Sequence, residues 1–248
     1  MKNHVEEKVV ILTGGSSQFG IETARLLLEQ GAKVVFMGRR AERLHAVQEM
    51  LQTDRLLTIE ANTSMSIDWR RVAETTIDQF GRIDVLINNH GAVIQVDPIE
   101  KMTDEAIQEV CELNLIATIK GCRTVLPVMK QQGTGHIINV ACACALRGWT
   151  MWGPYAAAKA GVIGFTRVLH NEMCVWGGKA TSFIPGATKP DSGRPNDPSI
   201  NWVDEYPSPE DFARMLVHCV DVPEHCVVEE MHVWGTRRIE AVVGEGTQ

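Results

Sequence analysis

The chain has 248 residues, 44% of them hydrophobic and 22% charged, with a mean hydropathy of −0.07. That is room for one α/β domain with a sizeable core, and too apolar a composition for a disordered chain. A net charge of −7 without a basic stripe argues against nucleic acid or an anionic membrane surface as partner. No apolar run reaches the roughly eighteen residues of a membrane span. The polar stretch Met1 to Lys8 lacks the features of a secretory leader, so the expected location is cytoplasmic.

Apolar runs and helical periodicities alternate along the chain. Val9 to Leu12 reads as a buried strand ending in a glycine-rich turn. Ile21 to Gln30 follows as a helix, with Ile21, Ala24, Leu27 and Leu28 on one face and Gly31 as its stop. Lys33 to Met37 reads as strand, Ala41 to Leu51 as helix, Leu56 to Ile59 as strand and Ile67 to Phe80 as helix. Val85 to Ile87 is a short buried strand leading into Asn88 and Asn89. One long helix is predicted over Thr103 to Lys130. Ile137 to Ala141 reads as strand, Pro154 to Trp176 as helix and Thr181 to Ile184 as strand. The rhythm then breaks: Gly186 to Tyr206 reads as a proline-rich loop, and residues 187–206 are expected to form a substrate lid. Ser208-Pro209-Glu210-Asp211 carries the cap, proline and acids of a helix start. That helix runs to Cys219, and a last strand covers Met231 to Val233. The tail after Gly235 reads as loosely held. Alternation without a repeat or linker predicts a single α/β domain over 1–248, a doubly wound parallel sheet with helices on both faces.

Three segments carry chemistry. Thr13-Gly14-Gly15-Ser16-Ser17-Gln18-Phe19-Gly20 joins the first strand to the first helix. Glycines there let backbone approach a pyrophosphate at the positive end of the helix. Met37-Gly38-Arg39-Arg40, ending the second strand, offers no acid to the ribose hydroxyls of an adenosine. The Arg39 guanidinium instead suits a 2′-phosphate. Tyr155 and Lys159 are four apart on a predicted helix and face the same way. The lysine charge favours phenolate, so the tyrosine can exchange a proton near neutral pH. The seven cysteines, at 111, 122, 142, 144, 174, 219 and 226, read as reduced, mostly buried thiols. Cys142 and Cys144 would share a face on a strand, but theirs is not a zinc spacing, and no metal is expected.

Thr13 to Gly20, Asp84-Val85-Leu86-Ile87-Asn88-Asn89-His90-Gly91, Asn114-Leu115, Ile138-Asn139-Val140, Tyr155 to Lys159 and Pro185-Gly186 stand in an order and spacing that resembles the short-chain dehydrogenase/reductases over nearly the whole chain. The resemblance implies a single-domain Rossmann-like fold, a nicotinamide cofactor, hydride transfer and often a homotetramer. It implies that Tyr155 is the general acid in ketone reduction and the general base in alcohol oxidation. Lys159 would lower the tyrosine pKa and hold the nicotinamide ribose. Asn114 would anchor a water in the proton relay, and Asn88 and Gly91 would support the central sheet and the adenosine side. Pro185 and Gly186 would lie against the nicotinamide. The expected cofactor is NADP(H). The residues expected to hold it are Gly14, Ser16, Ser17, Gln18, Phe19, Gly20, Arg39, Arg40, Glu60, Ala61, Asn62, Asn89, Gly91, Tyr155, Lys159, Pro185, Gly186 and Thr188.

The departures from that pattern are specific. Gln18 replaces the middle glycine of the first turn, His90 replaces a small residue, and Pro190 replaces a threonine after Pro185-Gly186. Glu60 is taken as the acid after the third strand. Cys142, thirteen residues before Tyr155 and three after Asn139, stands where the catalytic serine is expected, and no serine lies between Asn139 and Tyr155. A thiol is a longer, weaker donor than a hydroxyl, and one such donor is worth roughly a hundred- to a thousandfold in rate. No sequence neighbour lowers the pKa of Cys142, so a redox-sensitive site is the lesser alternative for it. On the substrate side are Cys142, Cys144, Trp149, Trp152 and Tyr155, with Thr188, Arg194 and Trp202 from the lid. The tryptophans point to an apolar or ring-bearing substrate, or equally to a subunit contact. The leading reading is an NADP(H)-dependent oxidoreductase interconverting a carbonyl and an alcohol, as a homo-oligomer. The alternatives are a degenerate relative that binds a nucleotide or partner without turnover, and an isomerase or dehydratase on the same fold.

Overall fold

The computed structural model describes residues 3–14, 17–187 and 207–236. Its strands are β1 (Val9–Thr13), β2 (Lys33–Gly38), β3 (Leu56–Glu60), β4 (Val85–Asn88), β5 (Gly135–Val140), β6 (Gly178–Pro185) and β7 (Glu230–Val233). All pair in parallel in one sheet, in the order β3-β2-β1-β4-β5-β6-β7. The chain winds outward from β1 to β3, then returns past β1 and winds the other way. Ligand crevices of such sheets open at that reversal, beyond the carboxyl ends of β1 and β4.

The helices are α1 (Gln18–Glu29), α2 (Ala41–Leu51), α3 (Ser66–Phe80), α4 (Asp104–Cys111), α5 (Ala117–Gln132), the single turn α6 (Cys144–Arg147), α7 (Gly153–Cys174) and α8 (Pro209–Val220). Successive strand residues point to opposite faces, and the two faces have separate cores. Val10, Leu12, Val34 and Phe36 pack with Leu27 of α1, Leu44 of α2 and Phe212 and Leu216 of α8. Ile11, Val35 and Met37 pack with Trp69 of α3, Val125 and Met129 of α5 and Leu169 of α7. Strands covered on both sides read as continuous apolar runs, which is why the alternation is plain in the sequence. The start of α8 is as predicted: Ser208 and Asp211 form a reciprocal capping box around Pro209.

Two predicted elements differ. The long helix expected over 103–130 is interrupted by a π-helical turn, Glu112–Ile116, between α4 and α5, while Gly121 and Pro127 lie inside α5. The strand that carries Asn139 stops at Val140, so Cys142 and Cys144 do not share a strand face. Ala143 is right-handed helical (φ −60°, ψ −25°), and Cys144 opens α6. Among the described residues no helix is long and apolar enough to cross a membrane. Ser16, Thr188, Pro190, Arg194, Trp202, the lid beyond Ala187 and the tail beyond Thr236 lie outside the described residues.

Candidate active site

The backbone at the end of β1 leaves no room for a side chain at Gly14. Gly14 has φ +80°, and a Cβ on it would stand 2.7 Å from the Asn89 carbonyl oxygen and 2.8 Å from Asn89 Nδ2, a buried donor without a partner among the described residues. Ser17 caps α1: its Oγ accepts from the Gly20 amide and donates to the Gly14 carbonyl, both at 3.1 Å. The amides of Gln18 and Phe19 keep no intrahelical partner at the positive end of the helix. Gln18 is exposed, and its Nε2 donates to Glu22 Oε1 at 2.9 Å, so the side chain lies along the helix. The Phe19 ring packs on Phe183 and Phe212, at centroid distances of 6.0 and 6.3 Å, leaving its backbone to meet a ligand. A spare buried donor beside a close-packed glycine turn and a helix start fits a dinucleotide phosphate.

At the far end of the crevice, register pairs Gly38 with Glu60 and brings Arg39 beside the chain leaving β3. Arg39, Glu60, Ala61, Asn62, Asp68 and Arg71 line a cavity of about 730 Å³. A second cavity of about 410 Å³ opens from Arg39 and Asn62 toward Glu109 and Glu112. Arg71, absent from the sequence-derived set, donates to the Glu60 carbonyl at 2.6 Å and to Asp68 Oδ1 at 3.0 Å. The Asn62 amide on Asp68 holds that carboxyl below its usual range, with Arg71 assisting. Asn62 Oδ1 accepts from the Ser64 amide at 3.0 Å. Arg40 is exposed at the start of α2.

The third part of the crevice is assembled by α7, the π turn and the loop after β5. Lys159 is only 3% exposed; its Nζ donates to the Val140 carbonyl at 2.9 Å and lies 5.8 Å from the centre of the Tyr155 ring. Burial pushes its ammonium group down to about 8, against the pull of Cys142 and Cys144. In the π turn, Asn114 Nδ2 donates to the carbonyls of Ala92 and Val110, each at 2.9 Å, while Oδ1 is buried without a partner among the described residues. Gly91 (φ +152°) separates that oxygen from Lys159: a Cβ there would meet Asn114 Oδ1 at 2.5 Å and Lys159 Nζ at 3.0 Å. An orphan acceptor facing a buried ammonium is a place for a hydroxyl or a water.

Cys142 is half-buried. Hydrogen bonding from Cys144, the Lys159 charge and the Tyr155 hydroxyl, opposed by burial, bring its thiol down to about 7, whereas Cys144 is pushed up by Cys142 and by burial. This corrects the sequence expectation that nothing lowers the Cys142 pKa: Tyr155 and Lys159 arrive from another element, and Cys144 stands beyond the end of β5. Trp149, Trp152 and Tyr155 form an edge-on series, with ring centres 5.1 and 5.6 Å apart. The Pro185 carbonyl accepts from the Ala143 amide at 2.9 Å, and the Gly186 amide donates to the Val233 carbonyl at 2.8 Å. Trp234 stands against Gly186, with the Arg147 guanidinium 5.6 Å over its ring; sequence reasoning missed it, and its one signal is an aromatic residue just after the last strand.

His90, unusual in sequence, is structural in place. Its Nδ1 lies 2.8 Å from Thr13 Oγ1 and its Nε2 3.4 Å from Thr118 Oγ1, with the ring edge-on to Trp69. Burial, with the Lys159 charge, pushes it down to about 3, so the ring is neutral. Asn88 is likewise buried and donates to Asn139 Oδ1 at 2.8 Å, tying β4 to β5. Among the described residues no three His, Cys, Asp or Glu side chains are grouped to hold a metal ion.

A glycine turn at the switch point of a doubly wound sheet, with a buried lysine one helical turn from a tyrosine, defines a dinucleotide-binding class of protein. Residues 8–200 match the short chain dehydrogenase family, and the chain belongs to it. It is 32% identical over 236 residues to an uncharacterised oxidoreductase of Staphylococcus saprophyticus, covering 92% of this chain and 96% of the relative. Levodione reductase is 33% identical over 74% of this chain and 72% of that one, with a TM-score of 0.71. The fold also matches an alcohol dehydrogenase of Thermococcus sibiricus solved with 5-hydroxy-NADP, at 21% identity and a TM-score of 0.83, over 95% of this chain and all of that one.

Proposed function

We propose that the protein is an NADP(H)-dependent oxidoreductase that interconverts a carbonyl and an alcohol on an apolar or ring-bearing small molecule. The observation that carries this reading is the buried Lys159 ammonium, 5.8 Å from the centre of the Tyr155 ring, with the buried Asn114 Oδ1 facing it across Gly91. The bound nicotinamide cofactor supplies or accepts the hydride. Tyr155 gives its proton to the carbonyl oxygen in reduction and takes it back in oxidation. Cys142 donates a hydrogen bond to the same oxygen as charge develops on it. Lys159 favours phenolate at Tyr155 through its charge and, with Asn114 Oδ1 across Gly91, holds a hydroxyl or water from which the tyrosine is reprotonated. Arg39 and Arg71 on the 730 Å³ cavity, with no acid at position 38, support a 2′-phosphate there. The name of levodione reductase, at 33% identity, supports a carbonyl substrate. Trp149 and Trp152 form an apolar wall beside the Tyr155 ring. Exposed Ile116 and Val168, in the π turn and on α7, support a closed homo-oligomer, a tetramer by family resemblance.

The test is an absorbance assay of NADPH oxidation over a panel of ketones and aldehydes, and of NADP⁺ reduction over the matching alcohols, with Tyr155→Phe alongside. Turnover by the native protein, and its loss by a hundred- to ten-thousandfold or so in the variant at unchanged NADPH affinity, are expected. Turnover that survives in Tyr155→Phe, or none on any substrate by a native protein that binds NADPH, overturns the proposal.

A further inference from the structure

His90 stands between two parts of the crevice that come from different elements. On one side is Thr13, at the end of β1 and next to Gly14; on the other is Thr118, in the first turn of α5 and four residues beyond Asn114. Counting hydrogen-bond capacity fixes the state of the ring. A hydroxyl has one proton to give and two lone pairs that accept. Thr13 Oγ1 accepts from the backbone amides of Asn89, at 2.9 Å, and His90, at 3.1 Å, so both lone pairs are taken. Its own proton goes to His90 Nδ1 at 2.8 Å or to the Ile87 carbonyl at 3.3 Å, and in neither case can Nδ1 donate to it. Nδ1 is therefore the bare nitrogen, and the neutral ring carries its proton on Nε2. That Nε2 proton faces Thr118 Oγ1 at 3.4 Å, and the Thr118 hydroxyl donates to the Asn114 carbonyl at 3.2 Å. Donor meets acceptor at every step in one direction: Thr13 to His90, His90 to Thr118, Thr118 to Asn114.

We propose that His90, as the Nε2–H tautomer, is a positioning residue whose ring spans from the glycine turn to the π turn and holds Asn114 Oδ1 toward Lys159. The tautomer concerns the folded chain alone; its consequence for turnover rests on the oxidoreductase reading.

The surroundings make the ring a rigid spacer. It is 6% exposed and stands edge-on to Trp69, with centroids 6.4 Å apart, and Trp69 is itself fixed by its Nε1 bond to the Thr63 carbonyl at 2.8 Å. A threonine hydroxyl that returns to the carbonyl four residues back is common within helices. Here the same oxygen also accepts from a ring on another element, so the Asn114 carbonyl is tied to the end of β1 and not to its own helix alone. Once the turn is placed, the bonds of Asn114 Nδ2 to the Ala92 and Val110 carbonyls leave Oδ1 one direction. The residue after His90 is Gly91, where a Cβ would meet both Asn114 Oδ1 and Lys159 Nζ. A displaced His90 backbone therefore alters the gap between those two atoms directly. Burial, with the Lys159 charge, keeps the ring neutral, so its two nitrogens hold these roles near neutral pH.

The ring is read by nitrogen-15 NMR of the full-length, histidine-labelled protein at pH 7. The chain has eight histidines, and the ring signals missing from His90→Gln identify those of His90. A protonated Nε2 and a bare Nδ1 are expected; a proton on Nδ1, or exchange between the two tautomers, overturns the chain of bonds. Thr118→Val then removes the middle hydroxyl at nearly constant volume, and Thr118→Ser restores it. In Thr118→Val, kcat on the best substrate of the ketone panel is expected to fall about ten- to a hundredfold, the scale of a misplaced catalytic group, with NADPH affinity within about twofold of native. Thr118→Ser is expected to recover most of that rate. Hydrogen exchange over residues 110–118, read without substrate, is expected to be faster in Thr118→Val than in the native protein or Thr118→Ser. Native kcat and native exchange in Thr118→Val, or equal losses in the valine and serine variants, overturn the positioning role. So does a Thr118→Val that loses NADPH affinity along with rate, which is the mark of a generally loosened fold. A native protein that turns over nothing on the panel defeats the oxidoreductase reading alone, and the ring signals and the exchange rates still decide whether His90 holds the turn.

Discussion

A thiol donates a hydrogen bond only while it holds its proton, and Cys142 loses it near pH 7. Above that pH the thiolate repels a developing oxyanion, whereas a serine at the same place stays a donor throughout. Cys142→Ser is therefore expected to keep or raise kcat for carbonyl reduction, by up to about ten- to a hundredfold, with the larger gain above pH 7. Steady-state rates of both proteins across pH check this, and a sharp fall in kcat at unchanged folding and NADPH affinity would mean that the sulfur has a role of its own. Lys159 sets the opposite problem, a charge kept where it is costly. Its ammonium titrates near 8 in the folded protein against an ordinary 10.5, so the unfolded chain binds the extra proton between those values. Folding is penalised in full below about pH 8, and the penalty is relieved as pH rises from 8 toward 10.5; the gap corresponds to about 3 kcal/mol. Lys159→Met also strands the Val140 carbonyl, which costs about 1–2 kcal/mol. The variant is expected to be inactive yet more stable at pH 7 by about 1–2 kcal/mol, as read by denaturant titration of the ligand-free protein. Lower stability would show that the Val140 bond outweighs the buried charge.

The strands and most helices were legible because their cause is local: four of the first five residues after Lys8 are apolar and all five are buried, and Ser208 to Asp211 spells its own cap. The π turn was not, because its cause is tertiary. Gly121 and Pro127 are the sequence's conventional breakers, yet both lie within α5. The irregularity instead falls at Asn114, whose side-chain amide donates to the Val110 carbonyl four residues back, a bond that a backbone amide makes in an α-helix. The same division holds at the site. Tyr155 and Lys159 were readable from spacing and Asn114 from the family resemblance; the structure brings Tyr155 and Lys159 together and sets Asn114 across Gly91. The lowering of the Cys142 thiol depends on Cys144, beyond the end of β5, and on Lys159 and Tyr155 from α7, and Arg71 reaches the Arg39 cavity through its bond to the Glu60 carbonyl at the end of β3. Arg39 itself follows from the end of β2, and there a prediction belongs. Arg39→Ala is expected to weaken NADPH binding by about 1–3 kcal/mol and to leave NADH binding nearly unchanged, by fluorescence titration. Equal or tighter binding of NADH by the native protein would count against a 2′-phosphate site.

At the scale of the molecule, the sheet carries polar side chains through its centre. Asn88 bonds Asn139, Asn139 Nδ2 donates to Thr166 Oγ1 at 2.9 Å, and two neutral histidines are buried at strand ends. His90 touches Thr13 and Thr118, and His136 Nε2 lies 2.8 Å from Thr181 Oγ1. Burial, aided by nearby lysine charge, pushes both down to about 3, while in the unfolded chain each titrates near 6.5. Between those values unfolding takes up a proton at each ring that the folded protein refuses. Stability from the two rings is therefore complete above about pH 6.5 and is lost as pH falls toward 3, at about 1.4 kcal/mol per pH unit for each. Carboxylates held by partners, Asp68 and Asp211 among them, are lowered and add to the same acid loss, so the native slope alone does not isolate the histidines. A variant does. His136→Gln can keep a hydrogen bond to Thr181 without a titrating ring. It is expected to lose some stability at neutral pH through imperfect packing, but to show a stability-versus-pH slope shallower by about 1.4 kcal/mol per unit between roughly pH 6 and 4. Urea unfolding of both proteins over that range measures the difference directly. Parallel slopes would mean that His136 takes its proton without unfolding, and that the sheet at β5 and β6 admits water where the structure shows a closed core.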